Sequence, residues 1–400
     1  MDARDLMIDG FRFSAVAAGI KQPDADRLDM GLIVADVPAV AAQVSTTNLV
    51  CAAPVKITRE RVANGRCSAV LVNSGNANAF TGDRGYSDAV ELTRSVALEL
   101  SVDPELVIPM STGVIGNRLP VERMKARIPD LVRSLSPQGL PAVARAMMTT
   151  DLKPKTTSMR TAASGYPIRM VGVAKGSGMI APNMATMLAV ILTDVKVERG
   201  FLSEALQETT RKTFNVITVD GDTSTNDTVA VLAGGHGSAK ELGTSQKERE
   251  AFSRLLDEAC MDLAHQIVRD GEGATKLVTV RVRGARDASA AAIVARTIAE
   301  SLLVKTAFHG EDPNWGRIVC AAGRAGVTFD PDLVDLFIGD VPIVVDGALV
   351  SGDWEHRAHA VMKQPEFSVL LDLKSGPGEA AFLTTDLSKE YVTINADYRS

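Results

Sequence analysis

The chain has 400 residues, 46% of them apolar and 23% charged, an ordinary globular composition with length for one large or two to three medium domains. A net charge of −6 and an aromatic content of only 4% argue against a nucleic-acid partner, which needs a basic surface with stacking platforms. The cysteines, at 51, 67, 260 and 320, show no metal-finger spacing, and a core of this size needs no disulfide staples, so they read as free thiols of a reducing compartment.

The opening MDARDLMIDGFRF is charged and lacks the apolar stretch of a secretory signal. No apolar run reaches the roughly 18 residues of a membrane span. The expectation is a soluble, cytoplasmic protein without a membrane partner. Runs rich in β-branched residues predict strands over 30–36, 68–74, 168–174, 187–194, 226–233, 277–284, 368–373 and 390–395. Apolar periodicity predicts helices over 87–100, 139–149, 199–213, 246–269, 288–302 and 356–363. Ser245 with Glu248 forms a capping box ahead of the fourth of these. The polar stretches 151–166 and 234–246 are linker candidates. The alternation reads as α/β, or mixed α+β, with a smaller C-terminal unit from about 285.

The segment KGSGMIAPNMATMLAVILTD (175–194) is the most unusual. Gly176, Gly178 and Ala181 fit the GxGxxA nucleotide fingerprint. Pro182, however, falls where the first helical turns belong, and the next strand follows too soon for a helical crossover. The other reading is a tight turn presenting Thr186 at a strand start, with small Ala185 before it. A Thr hydroxyl is a poor nucleophile unless a base activates it. Its own α-amine, titrating near ~8 when free, would serve. That amine exists only after the Ala185–Thr186 bond breaks, by attack of the hydroxyl on the Ala185 carbonyl and hydrolysis of the resulting ester. A purely structural Thr explains the local pattern as well.

Other patterns are weaker. DGDTSTND (220–227) begins like a calcium loop but has Thr225 and Val231 where Gly and Glu are needed, so it reads as a turn. His309 with Asp312 lacks a Ser or Cys partner, and the default is a structural role. His356 and His359 share a helix face with no third metal ligand, and no metal or cofactor is expected. Lys153 and Lys155, on either side of Pro154, read as a solvated loop, with a coenzyme A phosphate contact as the alternative.

Eight blocks run in order along the chain: NSGNANAFTG (73–82), STGVIG (111–116), MMTTDLKPK (147–155), the 175–194 segment, VDGDTSTNDT (219–228), DGEGATKL (270–277), VKTAFHGEDPNWGR (304–317) and INADYRS (394–400). Together they resemble the ornithine acetyltransferase family, the glutamate N-acetyltransferases of arginine biosynthesis. The resemblance implies a layered fold of sheets between helices. It implies a precursor that cuts itself at Ala185–Thr186 into an α chain (1–185) and a β chain (186–400), assembling as an α₂β₂ heterotetramer. It implies ping-pong transfer of acetyl from N2-acetylornithine through Thr186 to glutamate, with acetyl-CoA as a second donor in some members. Carried over by position, the oxyanion pair falls on Thr112 and Gly113, and the substrate-binding residues on Thr149, Lys175, Thr186, Glu272, Asn395 and Ser400, the last where such families usually show Thr. The alternative in the same wider fold group is an N-terminal-nucleophile aminopeptidase, in which water resolves the acyl-enzyme.

Overall fold

The computed structural model describes residues 3–23, 26–163, 165–181, 187–236 and 241–397. The chain divides into two compact units, the first spanning Met1–Asn215 and Asp222–Ile267, the second Val216–Gly221 and Val268–Arg399.

The first unit contains strands β1 (Phe11–Val16), β2 (Met30–Ser45), β3 (Arg66–Asn73), β4 (Val107–Ser111), β5 (Lys155–Ala163), β6 (Tyr166–Lys175), β7 (Leu188–Thr193), β8 (Lys196–Val197), β9 (Thr228–Ala233) and β10 (Glu241–Leu242). Its helices are α1 (Ala53–Val62), α2 (Gly82–Leu100), α3 (Val121–Arg133), α4 (Leu140–Met147), α5 (Arg199–Lys212) and α6 (Gln246–Arg269), whose last two residues belong to the second unit. The main sheet runs β4-β3-β2-β9-β7-β6-β5, with β1 paired to β2. Along β2, Met30, Leu32 and Val34 pack with Leu92 and Val96 of α2 and Met124 and Ile128 of α3. Ile33 and Ala35 pack instead with Leu140, Val143 and Met147 of α4. A strand covered on both faces must be apolar throughout, which is why MGLIVAD reads as a strand in the bare sequence. The capping box forms: Ser245 Oγ accepts from the Glu248 N–H at 3.4 Å, and Glu248 Oε2 from the Ser245 N–H at 3.3 Å.

The second unit contains β11 (Leu277–Ala285), β12 (Asp335–Ile338), β13 (Val341–Val345), β14 (Ala348–Leu349), β15 (Glu366–Asp372) and β16 (Gly378–Thr385) in the order β14-β13-β12-β15-β11-β16. Its helices are α7 (Ala288–Ala299), α8 (Leu302–His309), α9 (Trp315–Gly323), α10 (Trp354–Met362) and α11 (Lys389–Asp397). Its core joins Val280 and Val282 of β11 with Val294 and Ile298 of α7 and with Phe308 and Phe367. The two Phe rings meet edge to face at 5.4 Å.

The mixed α/β class is as expected, but three elements are not. Residues 151–166 are no linker: β5 pairs with β6 along its whole length, from Lys155↔Ala174 to Ala163↔Tyr166. Its run of Thr and Ser is polar in composition, yet Thr suits a pleated, half-buried strand. Residues 390–395 form helix rather than strand. Ser388 Oγ accepts from the Tyr391 N–H at 3.4 Å and Asn395 Nδ2 donates to Tyr391 O at 3.0 Å, so local caps decide where no side chain is buried. The expected 288–302 helix ends at Ala299, and α8 starts at Leu302 after a break at Glu300 and Ser301. No helix among the described residues is long and apolar enough to cross a membrane.

Candidate active site

The loop after β4 carries Thr112 and Gly113, and buried asparagines hold it in place. Asn73, at the end of β3, accepts the Ser111 hydroxyl at 2.6 Å through its side chain and the Thr112 N–H at 3.0 Å through its carbonyl. Its Nδ2 donates to Asn76 O at 2.9 Å. Asn76 Nδ2 in turn holds the carbonyls of Asn117 and Arg118. Asn226 reaches in from far along the chain and donates to Ala77 O at 2.6 Å and Ser111 O at 2.8 Å. NSGNANAFTG, STGVIG and VDGDTSTNDT therefore meet at one place. The Thr112 N–H is committed to Asn73, which leaves its half-buried hydroxyl as the donor of that residue.

Gly113 sits at φ +131°, and a Cβ there would lie 2.4 Å from the carbonyl carbon of Gly75 and 2.5 Å from Asn76 N. Both are backbone atoms, so the loop has no room to adjust. Gly113→Ala is expected to push this loop off the asparagine frame and to lower kcat by about 10²–10³, the typical loss of one oxyanion donor. Steady-state kinetics beside a thermal melt will check this; an unchanged kcat in a folded variant removes Gly113 from the site.

Asp151 organises the second part. Its side chain accepts Lys155 Nζ at 2.6 Å, the Gly176 N–H at 2.8 Å and the Thr149 N–H at 3.0 Å. Burial alone would raise this carboxyl, but the Lys175 and Lys155 charges outweigh it and hold it at about 2. Lys155 is 1% exposed and ion-paired. It is neither in a solvated loop nor free to meet a phosphate, which corrects the reading of Lys155; Lys153 is exposed, as a solvated loop requires. Lys175, at the end of β6 opposite Leu188, is also buried and lies within electrostatic reach of both Asp151 and Asp227. Thr149 lines a cavity of about 280 Å³ with Arg27, Arg145 and Asp151. Two guanidiniums at its wall suit a carboxylate.

Glu272 and Asn395 belong to the second unit and touch: Asn395 Nδ2 donates to Glu272 Oε2 at 2.8 Å. Asp386 fixes the loop that bears Glu272, accepting the Thr275 N–H at 2.7 Å, the Thr275 hydroxyl at 2.7 Å and the Lys276 N–H at 2.9 Å. It also meets His309 Nδ1 at 2.7 Å. The imidazole therefore has an acidic partner, Asp386, that its neighbourhood in sequence did not indicate. Gly273 accepts the Ser388 hydroxyl at 2.6 Å, and a Cβ on it would lie 2.4 Å from Tyr391 N. Lys305, fully buried against Thr384 and Thr385, is lowered to about 7 by burial despite the nearby acids Asp386, Asp220 and Glu300.

Of the residues expected at the site, Thr112, Gly113, Thr149 and Lys175 thus fall in the first unit and Glu272 and Asn395 in the second. Ala185, Thr186 and Ser400 lie outside the described residues. The ArgJ family's sequence profile matches residues 12–400. The chain belongs to the ArgJ family. Similar relatives include the arginine biosynthesis bifunctional proteins ArgJ of Geobacter sulfurreducens, 48% identical over 99% of this chain and 100% of its own, and of Desulfotalea psychrophila, 50% identical with the same coverage. Among solved structures, the ArgJ chain from Bacillus halodurans is 41% identical with a TM-score of 0.51, covering 53% of this chain and 100% of its own. The resemblance to ornithine acetyltransferases read from eight motifs therefore holds, and with it the reading of an arginine-biosynthesis enzyme. Asn73, Asn76, Asp151, Asn226, Asp227 and Asp386 were not singled out from the sequence. Five of them stand inside the motif blocks, which was the available signal; only the structure shows which polar residues are buried.

Proposed function

We propose that the chain cuts itself at Ala185–Thr186 and then moves acetyl from N2-acetylornithine to glutamate through an acetyl-Thr186 intermediate. Membership of the ArgJ family over residues 12–400 is the observation that carries this reading. The B. halodurans ArgJ chain adds support, because all of it corresponds to 53% of this chain, and residues 186–400 are a little over half of the 400.

In this reading the freed Thr186 amine serves as base and the hydroxyl attacks the acetyl carbonyl. The Thr112 hydroxyl and the Gly113 N–H meet the oxyanion as it forms. Lys175, within electrostatic reach of Asp151, offers a cation to the α-carboxylate common to donor and acceptor. Glu272, oriented by Asn395, meets the ornithine amine. Ornithine leaves, glutamate enters, and its amine takes the acetyl group. Thr149 and Ser400 complete the substrate contacts, acetyl-CoA serves as a second donor, and the two products of the cut assemble as a heterotetramer in the cytoplasm.

The test is a denaturing gel with N-terminal sequencing, followed by an assay offering N2-acetylornithine and acetyl-CoA as rival donors to glutamate. Two bands, one starting at Thr186, and acetylglutamate formed from N2-acetylornithine are expected; a single intact chain in active material would sink the reading. Lys175→Ala is expected to lower kcat/KM for N2-acetylornithine by roughly 10–100-fold, the loss of a charge-assisted contact. An unchanged kcat/KM would remove Lys175 from the site.

A further inference from the structure

The two amino acids of the proposed transfer share an α-carboxylate but end in opposite charges. Ornithine ends in an ammonium and glutamate in a second carboxylate. One group of fixed charge cannot favour both ends, because a charge that attracts one repels the other. Glu272 suits the amine, and Lys175 is assigned to the α-carboxylate. The second carboxylate therefore needs cations of its own.

The cavity of about 280 Å³ beside Thr149 offers them. Arg145 comes from the last turn of α4 and Arg27 from the loop between β1 and β2. That loop is tied down. Asp29 accepts the Ala18 and Ile20 N–H groups, each at 2.6 Å, and Arg123 Nη1 donates to Gly19 O at 2.8 Å. Lys21 of the same loop reaches the oxyanion region: a Cβ on Gly75 would lie 3.0 Å from Lys21 Cβ, and Gly75 is the residue against which Gly113 closes. Burial and the Arg27 charge both lower Lys21, so these two cations lie within electrostatic reach of each other.

Arg27 Nη2 donates to the carbonyl of Met148 and, at 3.3 Å, to that of Thr149, which leaves part of its five-donor fork for a ligand. Arg145 is exposed and has no ion-pair partner among the described residues. The Thr149 N–H is committed to Asp151 and its carbonyl to Arg27, so its half-buried hydroxyl is the group it presents. Asp151 also lines the cavity, but Lys155 and Lys175 already answer its charge. At about 280 Å³ the space suits the side chain of an amino acid, since pockets for drug-sized ligands run to roughly 300–1,000 Å³.

We propose that Arg27 and Arg145 hold the side-chain carboxylate of the glutamate acceptor in the cavity that Thr149 lines. This rests on the reading that glutamate takes the acetyl group. Guanidinium forks match the two oxygens of a carboxylate, and they repel the ammonium of ornithine, so the same pair favours entry of the acceptor over return of the product.

The test compares glutamate and glutamine as acceptors with N2-acetylornithine as donor, because the two differ only in the charge of the side-chain end. The wild type is expected to prefer glutamate. Arg145→Gln is expected to lower kcat/KM for glutamate about 10–100-fold and that for glutamine far less, so that the preference shrinks. Arg145→Lys is expected to recover part of it. Equal losses with both acceptors, as a merely structural role would give, or no loss with glutamate, would overturn the proposal. So would a wild type that uses both acceptors alike, or a loss seen only with acetyl-CoA as donor, which would assign the guanidiniums to the coenzyme phosphates. A wild type that makes no acetylglutamate at all removes the transfer reading and the proposal with it, so the wild-type rate tells the two failures apart. Arg145 is exposed, and a thermal melt is expected to show both variants folded. Should they not fold, Arg27→Lys decides: a loss selective for glutamate supports the proposal, and an equal loss or none overturns it.

Discussion

Thr186→Ala is expected to give one band of full length and no detectable acetyl transfer. Two losses coincide in this variant. Without the hydroxyl the Ala185–Thr186 bond has no internal nucleophile, and without the cut there is no free amine to act as base. Removing a nucleophile from a group that works as a unit leaves only what binding and the oxyanion donors supply, so kcat should fall by roughly 10⁴-fold or more. Thr186→Ser, which keeps a hydroxyl, is expected to be cut and to retain measurable transfer. The checks are the gel, N-terminal sequencing and the rate of acetylglutamate formation. Full activity in the alanine variant would refute the mechanism.

Asp151→Asn is expected to have the largest effect on stability. The side chains of Lys155 and Asp151 are 2% and 0% exposed, and Lys175 is buried as well. The neutral amide would leave two buried cations without the carboxylate charge that both now face. Removing one partner from a buried pair costs about 3–5 kcal/mol. The pH dependence has a definite sign. Asp151 is held at about 2 in the folded chain, below the ordinary value of about 3.9, so its contribution is present in full above that ordinary value and is lost as pH falls through about 2. The shift corresponds to roughly 2–3 kcal/mol. Urea unfolding at pH 7 should show the loss in the variant, and the gap to wild type should narrow toward pH 2. A variant as stable as wild type at pH 7 would contradict this account. Turnover should fall too, because Asp151 also holds the Thr149 and Gly176 N–H groups beside Lys175.

Much of the architecture was legible without coordinates. The strands at 30–36, 68–74, 168–174 and 187–194 correspond to β2, β3, β6 and β7, buried on both faces and therefore apolar enough to stand out. The helix over 246–269 was readable to the residue from its capping box. The errors have a common cause. β5 is polar and pairs only because β6 lies alongside it; α11 has no buried face, so its apolar alternation had nothing to report. Lys155 carries a charge, which suggests solvent, until its partner four residues away is seen to be buried with it.

What the sequence by itself settled is the family and, through it, the class of chemistry, because eight motif blocks in order need no geometry to be recognised. What only the tertiary structure decided is the state of the polar groups. Asn226 is separated by 149 and 115 residues from the carbonyls it holds, and Asp227 by 40 residues from the Met187 N–H it accepts. Whether a carboxyl is held down like that of Asp151 or pushed up like that of Asp227 depends on burial and on the cations that folding brings to it. Neither quantity is a property of the residue or of its neighbours in the chain.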